Sequence, residues 1–129
     1  MAVGGSANTP HLPRPAPIDA YGDGGFRFAG MSHRGSLLCF PDGIWAWPVQ
    51  DAVHLTETTL TAAFDRAQTL DFFLIGAGRD PWILPEGLRK RFRDLSLSVD
   101  VMSTSAAVRT YNILLAENRR VGAGLIAVA

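Results

Sequence analysis

Residues 71–76, DFFLIG, form a nearly unbroken apolar run that ends on glycine. Such a run has no polar face to turn toward water. Read as a strand, it must be covered on both sides, which is the situation of a central strand in an α/β sheet. The residues that follow fit that demand. PEGLRKRFRDL (85–95) reads as a helix with Pro85 near its first turn, LSVDVM (97–102) as a strand, and STSAAVRTYNILLAENRR (103–120) as the longest helix. VGAGLIAV (121–128) reads as a final strand. The order β-α-β-α-β implies right-handed crossovers and a largely parallel core.

Upstream the pattern is β from Ile18 to about Trp47. Phe40 and Ile44 flank Pro41-Asp42-Gly43, a hairpin signal, because proline presets one turn dihedral and glycine accepts a positive one. TETTLTAAFDRA (56–67) reads as a helix capped by Thr56, with Leu60, Ala63, Phe64 and Ala67 on one face. Residues 1–16, rich in Gly, Pro, Ala and Ser, are expected to form a disordered tail, and 17–129 a single domain.

The Gly-x-Gly of Gly76 and Gly78 raises the question of a phosphate loop. A dinucleotide fingerprint needs a third glycine and an immediate helix; position 81 is proline and the helix waits until about Pro85. No Gly-Lys-Ser/Thr follows, so the other common phosphate loop fails as well. The glycines alone are explained by a tight turn. If strands 71–75 and 97–101 are parallel, however, their carboxyl ends share one edge of the sheet, where open α/β sheets bind ligands. Gly76, Gly78 and Arg79 would then stand beside Thr104 at the start of the long helix, whose free N–H groups and partial positive charge suit an anion.

In the long helix the apolar arc contains Ala107, Val108, Tyr111, Leu114 and Leu115. Thr110 and Glu117 border that arc near Ile113, and Arg120, three positions on, is the expected partner of the Glu117 carboxylate. A helix anchored by its own ion pair accounts for Glu117 more simply than a catalytic base does.

Several elements in order and at fixed spacing carry a resemblance. They are Ile75, Gly76 and Gly78 after a strand, then Met102 and Thr104. Thr110-Tyr111-Asn112 follows, and then Glu117, Arg119 and Val121. Together they resemble the family shared by the adipogenesis-associated Mth-like protein and the mitochondrial respiratory complex I assembly factor 3. The resemblance spans roughly 16–128 and is strongest from 71 onward. Where that family often has two prolines after the glycine loop, Asp80 and Trp82 flank a single Pro81 here. The resemblance implies a three-layer α/β fold, with a central mixed sheet and a small β subdomain from the N-terminal strands. It implies no established enzyme activity, and a protein partner such as a respiratory-complex subunit.

Composition excludes several classes. Twelve basic and twelve acidic residues cancel, so the chain has no general attraction for nucleic acid. Cys39 is the only cysteine; an intrachain disulfide and a cysteine zinc cluster are both ruled out. No apolar run approaches a membrane span, and the N-terminus lacks the apolar stretch of a secretory signal, so a cytoplasmic location is expected. His11, His33 and His54 show no metal-ligand spacing, and no nucleophile motif surrounds any serine or Cys39, so neither a cofactor nor a metal is expected. RKRFR (89–93) is usually a solvated face; it is otherwise a docking patch for an acidic partner or, less readily, for nucleic acid. Trp45, Trp47 and Trp82 are core candidates that would mark a contact surface if exposed together.

The sequence therefore leads to a non-enzymatic binding or assembly module, monomeric or weakly dimeric. The alternative is a small-molecule or anion-binding protein or enzyme, with its pocket at Gly76–Arg79 and the start of the 103–119 helix. The candidate ligand-binding residues are Gly76, Gly78, Arg79, Thr104, Tyr111 and Glu117.

Overall fold

The computed structural model describes residues 9–129. Three short strands, β1 (Ile18–Gly22), β2 (Gly25–Phe28) and β3 (Met31–Arg34), form an antiparallel sheet. β4 (Ser36–Phe40) and β5 (Gly43–Trp47) follow as a hairpin. Then come α1 (Thr61–Asp65), β6 (Phe72–Gly76), α2 (Glu86–Asp94), β7 (Ser98–Met102), α3 (Thr104–Ala116) and β8 (Val121–Leu125). The second sheet has the order β5-β4-β8-β6-β7. β8 pairs parallel with β6 and antiparallel with β4, and β6 pairs parallel with β7, so the sheet is mixed and four of its strands run the same way. The expected small β subdomain is the β1–β3 sheet; the β4–β5 hairpin, in contrast, belongs to the main sheet.

Side chains alternate across a strand, and β6 shows why its run had to be apolar throughout. Phe73 and Ile75 enter a core with Phe40, Phe64, Phe92 and Leu97, on the side of α1 and α2. Leu74 enters the opposite core with Phe28, Leu37, Tyr111 and Leu125, on the side of α3 and the small sheet. On the first side the Phe73 ring stacks on Phe40 and Phe92 with centroids 6.1 and 5.9 Å away. Each such fully buried side chain contributes about 2–3 kcal/mol.

The final strand lies in the middle. All five residues of β8 are buried. Its glycines admit the neighbouring rings: a Cβ on Gly124 would come within 2.7 Å of the Trp47 ring, and one on Gly122 within 3.0 Å of Phe40.

Three expectations need correction. The helix foreseen over 56–67 is regular only at Thr61–Asp65. Thr56 does cap a turn, its hydroxyl accepting the Thr59 N–H at 3.3 Å while Thr59 Oγ1 accepts the Thr56 N–H at 2.9 Å. Thr56, Thr58, Thr59 and Thr61 are β-branched residues with hydroxyls that compete for the backbone, which keeps the helix short. Leu60, Ala63, Phe64 and Ala67 are nonetheless all buried. Second, Gly43 lies inside β5 opposite Phe40, so Pro41-Asp42 alone forms the turn. Third, of the tail expected over 1–16, residues 1–8 lie outside the described residues, and 9–16 run against the domain. The Ile44 N–H donates to the Leu12 carbonyl at 2.9 Å, the His11 N–H donates to the Ile44 carbonyl at 2.8 Å, and Ala16 is buried.

Candidate binding rim

The parallel pairing of β6 and β7 brings the turn after β6 beside the start of α3. Gly76 makes the approach close, since a Cβ there would lie 3.0 Å from Thr104 Cα and 3.1 Å from Ala107 Cβ. The Ala77 N–H donates to the Met102 carbonyl at 2.8 Å, extending the ladder by one step, and Gly78 turns the chain at φ +98.

Thr104, fully buried, fastens three segments. Its N–H donates to the Gly78 carbonyl at 2.9 Å, and its Oγ1 accepts the Gly78 N–H at 3.0 Å. The same hydroxyl donates to the Ile126 carbonyl at 2.6 Å, while the Ile126 N–H donates to the Gly76 carbonyl at 2.9 Å. Ser103 Oγ accepts the Ala106 N–H at 3.2 Å. The Thr104 and Ala106 amides that an anion would need at the start of α3 are thus engaged within the fold. Arg79 is exposed, and its guanidinium donates to the Ala129 carbonyl at 2.6 Å.

In front of this turn lies an open cleft of about 450 Å³, bordered by Asp51, Val53, Arg79, Trp82 and Val128. Among Asp51, Arg79 and Asp80 it holds the apolar side chains of Val53, 69% exposed, and of the half-buried Trp82; Ile83, next in sequence, is 85% exposed. Of the tryptophans, Trp47 is buried and donates its indole N–H to the Thr59 carbonyl at 2.9 Å. Trp45 stacks under the Arg66 guanidinium at 4.9 Å, so the three do not share one surface.

Gly76, Gly78, Arg79 and Thr104 therefore come together, whereas Tyr111 and Glu117 stand elsewhere. Tyr111 is fully buried two turns along α3, and its hydroxyl donates to the Ala16 carbonyl at 3.1 Å. Burial raises the Tyr111 hydroxyl well above its ordinary range and pushes the adjacent Cys39 thiol up to about 12, so both stay neutral. Glu117 caps the far end of α3, about 20 Å from Thr104 at 1.5 Å per residue. It is exposed, and the expected pair with Arg120 does not form. Arg120 instead donates to Asp71 Oδ1 at 2.8 Å and, through its N–H, to Oδ2 at 3.0 Å. These bonds hold the Asp71 carboxyl below the usual carboxylate range. Asn112 was legible only as part of a motif; it clamps β1, accepting the Ile18 N–H and donating to the Ile18 carbonyl, both at 2.8 Å. Val53 and Ile83 carried no signal in the sequence beyond being apolar.

Among the described residues, no helix is long and apolar enough to cross a membrane, and no group of three acidic, histidine or cysteine residues is placed to hold a metal.

An uncharacterised protein of Rhodobacter capsulatus is 42% identical over 110 residues, covering 85% of this chain and 83% of that one. The mouse NADH dehydrogenase [ubiquinone] 1 alpha subcomplex assembly factor 3 is 26% identical over 115 residues, or 89% of this chain. The matched region spans 62% of the mouse protein's length. A crystal structure described as an outer membrane protein from Bartonella henselae is 47% identical with a TM-score of 0.88, covering 92% of this chain and all of that one. A solution structure of a Mth938-like domain from Bordetella pertussis is 27% identical with a TM-score of 0.76, covering 87% of this chain and 85% of that one. With residues 18–126 matching its pattern, the chain belongs to the family of proteins of unknown function DUF498/DUF598.

Proposed function

We propose that this chain is a non-enzymatic assembly module that acts in the cytoplasm and docks a respiratory-complex subunit on the carboxyl-end rim of its main sheet. The observation that carries the proposal is its similarity to assembly factor 3 along nearly the whole fold. The rim's chemistry supports it. Its polar groups are engaged in holding β6, α3 and Ile126 together, which leaves Val53, Trp82 and Ile83 as the contact surface, flanked by Arg79 and Asp80. Apolar residues ringed by charge suit a protein partner.

Cross-linking of the tagged full chain in respiring cells, followed by gentle purification, is expected to recover a respiratory-complex subunit. The Ile83→Asp variant is expected to lose it. Recovery of the chain alone overturns the proposal.

The cleft beside Arg79 favours a second reading, a small anion held at Gly76, Gly78, Arg79 and Thr104. It predicts that phosphate raises the melting temperature and that Arg79→Ala removes the rise. An unchanged melting temperature across a panel of phosphates and carboxylates eliminates it.

A further inference from the structure

The outer side of β7 differs from the far margin of the main sheet. β7 closes the main sheet and, among the described residues, pairs only with β6. The far margin, β5, is partly covered, because Leu12 bridges to Ile44. The Met102 carbonyl accepts the Ala77 N–H across to the β6 side. Backbone groups of a strand alternate in direction, so Ser98, Asp100 and Met102 address β6 while Val99 and Val101 aim their N–H and C=O groups outward. No described residue bonds them. A regular strand with an open side and no proline or bulge is a template for another strand.

Beside this edge lies a groove of about 420 Å³ on the α2 side, lined by Arg89, Phe92, Arg93, Leu97 and Val99 and containing no carboxylate. Most charges of the RKRFR run are matched. Lys90 pairs with Asp94 at 2.7 Å, Arg91 with Glu57 at 3.0 Å, and Arg93 with Glu86 at 2.9 Å. Arg89, exposed, pairs with no described residue. The lone acid of the strand, Asp100, has the opposite side-chain parity from Val99 and Val101. These pack with the α2-side core, so Asp100 faces away from the groove.

We propose that the β7 edge binds an extended acidic segment of a partner protein by strand addition. Its backbone pairs with Val99 and Val101. Alternate side chains enter the groove, an apolar one beside the half-buried Val99 and a glutamate or aspartate against Arg89. A second copy of this chain is the wrong occupant: the one acid of its β7, Asp100, lies on the face away from the groove and so brings no carboxylate to Arg89. This surface is separate from the rim, so either can fail without the other.

The probe is a short blocked peptide in which glutamate and valine alternate along one face and threonine occupies the other. It is titrated into the full ¹⁵N-labelled chain. The expected result is that the amides of Val99 and Val101 shift and exchange more slowly with solvent. A peptide with lysine for glutamate is expected to bind about fivefold or more weakly, with Arg89→Glu inverting that preference. The unperturbed remainder of the spectrum reports that the variant is folded. No shift at Val99 and Val101 up to about 1 mM peptide, equal binding of the lysine peptide, or shifts confined to the Arg79–Trp82 cleft each overturn the proposal.

Discussion

β8 and β7 are five-residue strands of one sheet, and they live under opposite rules. β8 is hydrogen-bonded on both sides, buried at every position, and built around glycines because aromatic rings lie across it. β7 is bonded on one side, and its Ser98 and Asp100 are exposed. The first strand is constrained by volume and the second by its edge. A small change should be costly in one and tolerated in the other.

The largest break in that contrast is expected at Phe73, in the strand between the two. Its ring stacks on both Phe40 and Phe92, and Phe73→Ala should cost about 3–5 kcal/mol in urea denaturation. Gly124→Ala should cost about 1–3 kcal/mol, because the added methyl meets the Trp47 ring and the packed core yields little. Thr104→Val keeps the shape but leaves the Gly78 N–H and the Ile126 carbonyl without their partner, a loss of about 2 kcal/mol. In β7, Asp100→Asn should stay within about 0.5 kcal/mol of the parent. A cost at Asp100 equal to that at Gly124 would erase the distinction between the two strands.

The smallest expected effect is one of pH. The His11 and His33 rings lie 4.8 Å apart where the N-terminal segment meets β3. Burial first, and then the charge of His11, lower the His33 pKa from 6.5. The unfolded chain therefore takes up this proton before the folded one does. The contribution to stability is complete above 6.5 and declines as the pH falls from there toward the lower folded value. His33→Asn should flatten that part of the stability profile. An unchanged slope would place the effect in other groups.

How much of this was legible in the sequence follows from the range of each interaction. β6, α2, β7, α3 and β8 were readable because apolar runs and helical spacing are local signals. The neighbourhood of Gly78 and Thr104 followed from a rule of parallel sheets. What Thr104 does there did not, since its bonds to Gly78 and Ile126 join residues 26 and 22 positions away. The β4–β5 hairpin was visible as a hairpin, but its seat beside β8, with Leu37 opposite Leu125, depends on a pairing that no local pattern encodes. Arg120 was misassigned to Glu117 for the same reason: its acceptor, Asp71, is 49 residues away in sequence but adjacent in the fold. Helix 56–67 failed differently, with a correct apolar face and an overestimated length.

The place of β8 between β4 and β6 also sets a timetable. During synthesis the hairpin at 36–47 and the β6-α2-β7 unit leave the ribosome before residues 121–125 do. Until that segment emerges, each half displays a raw sticky margin to whatever is nearby, and late closure of non-local pairs is slow. The margin left open while the chain is being made becomes, once β8 fills it, the least accessible position of the sheet.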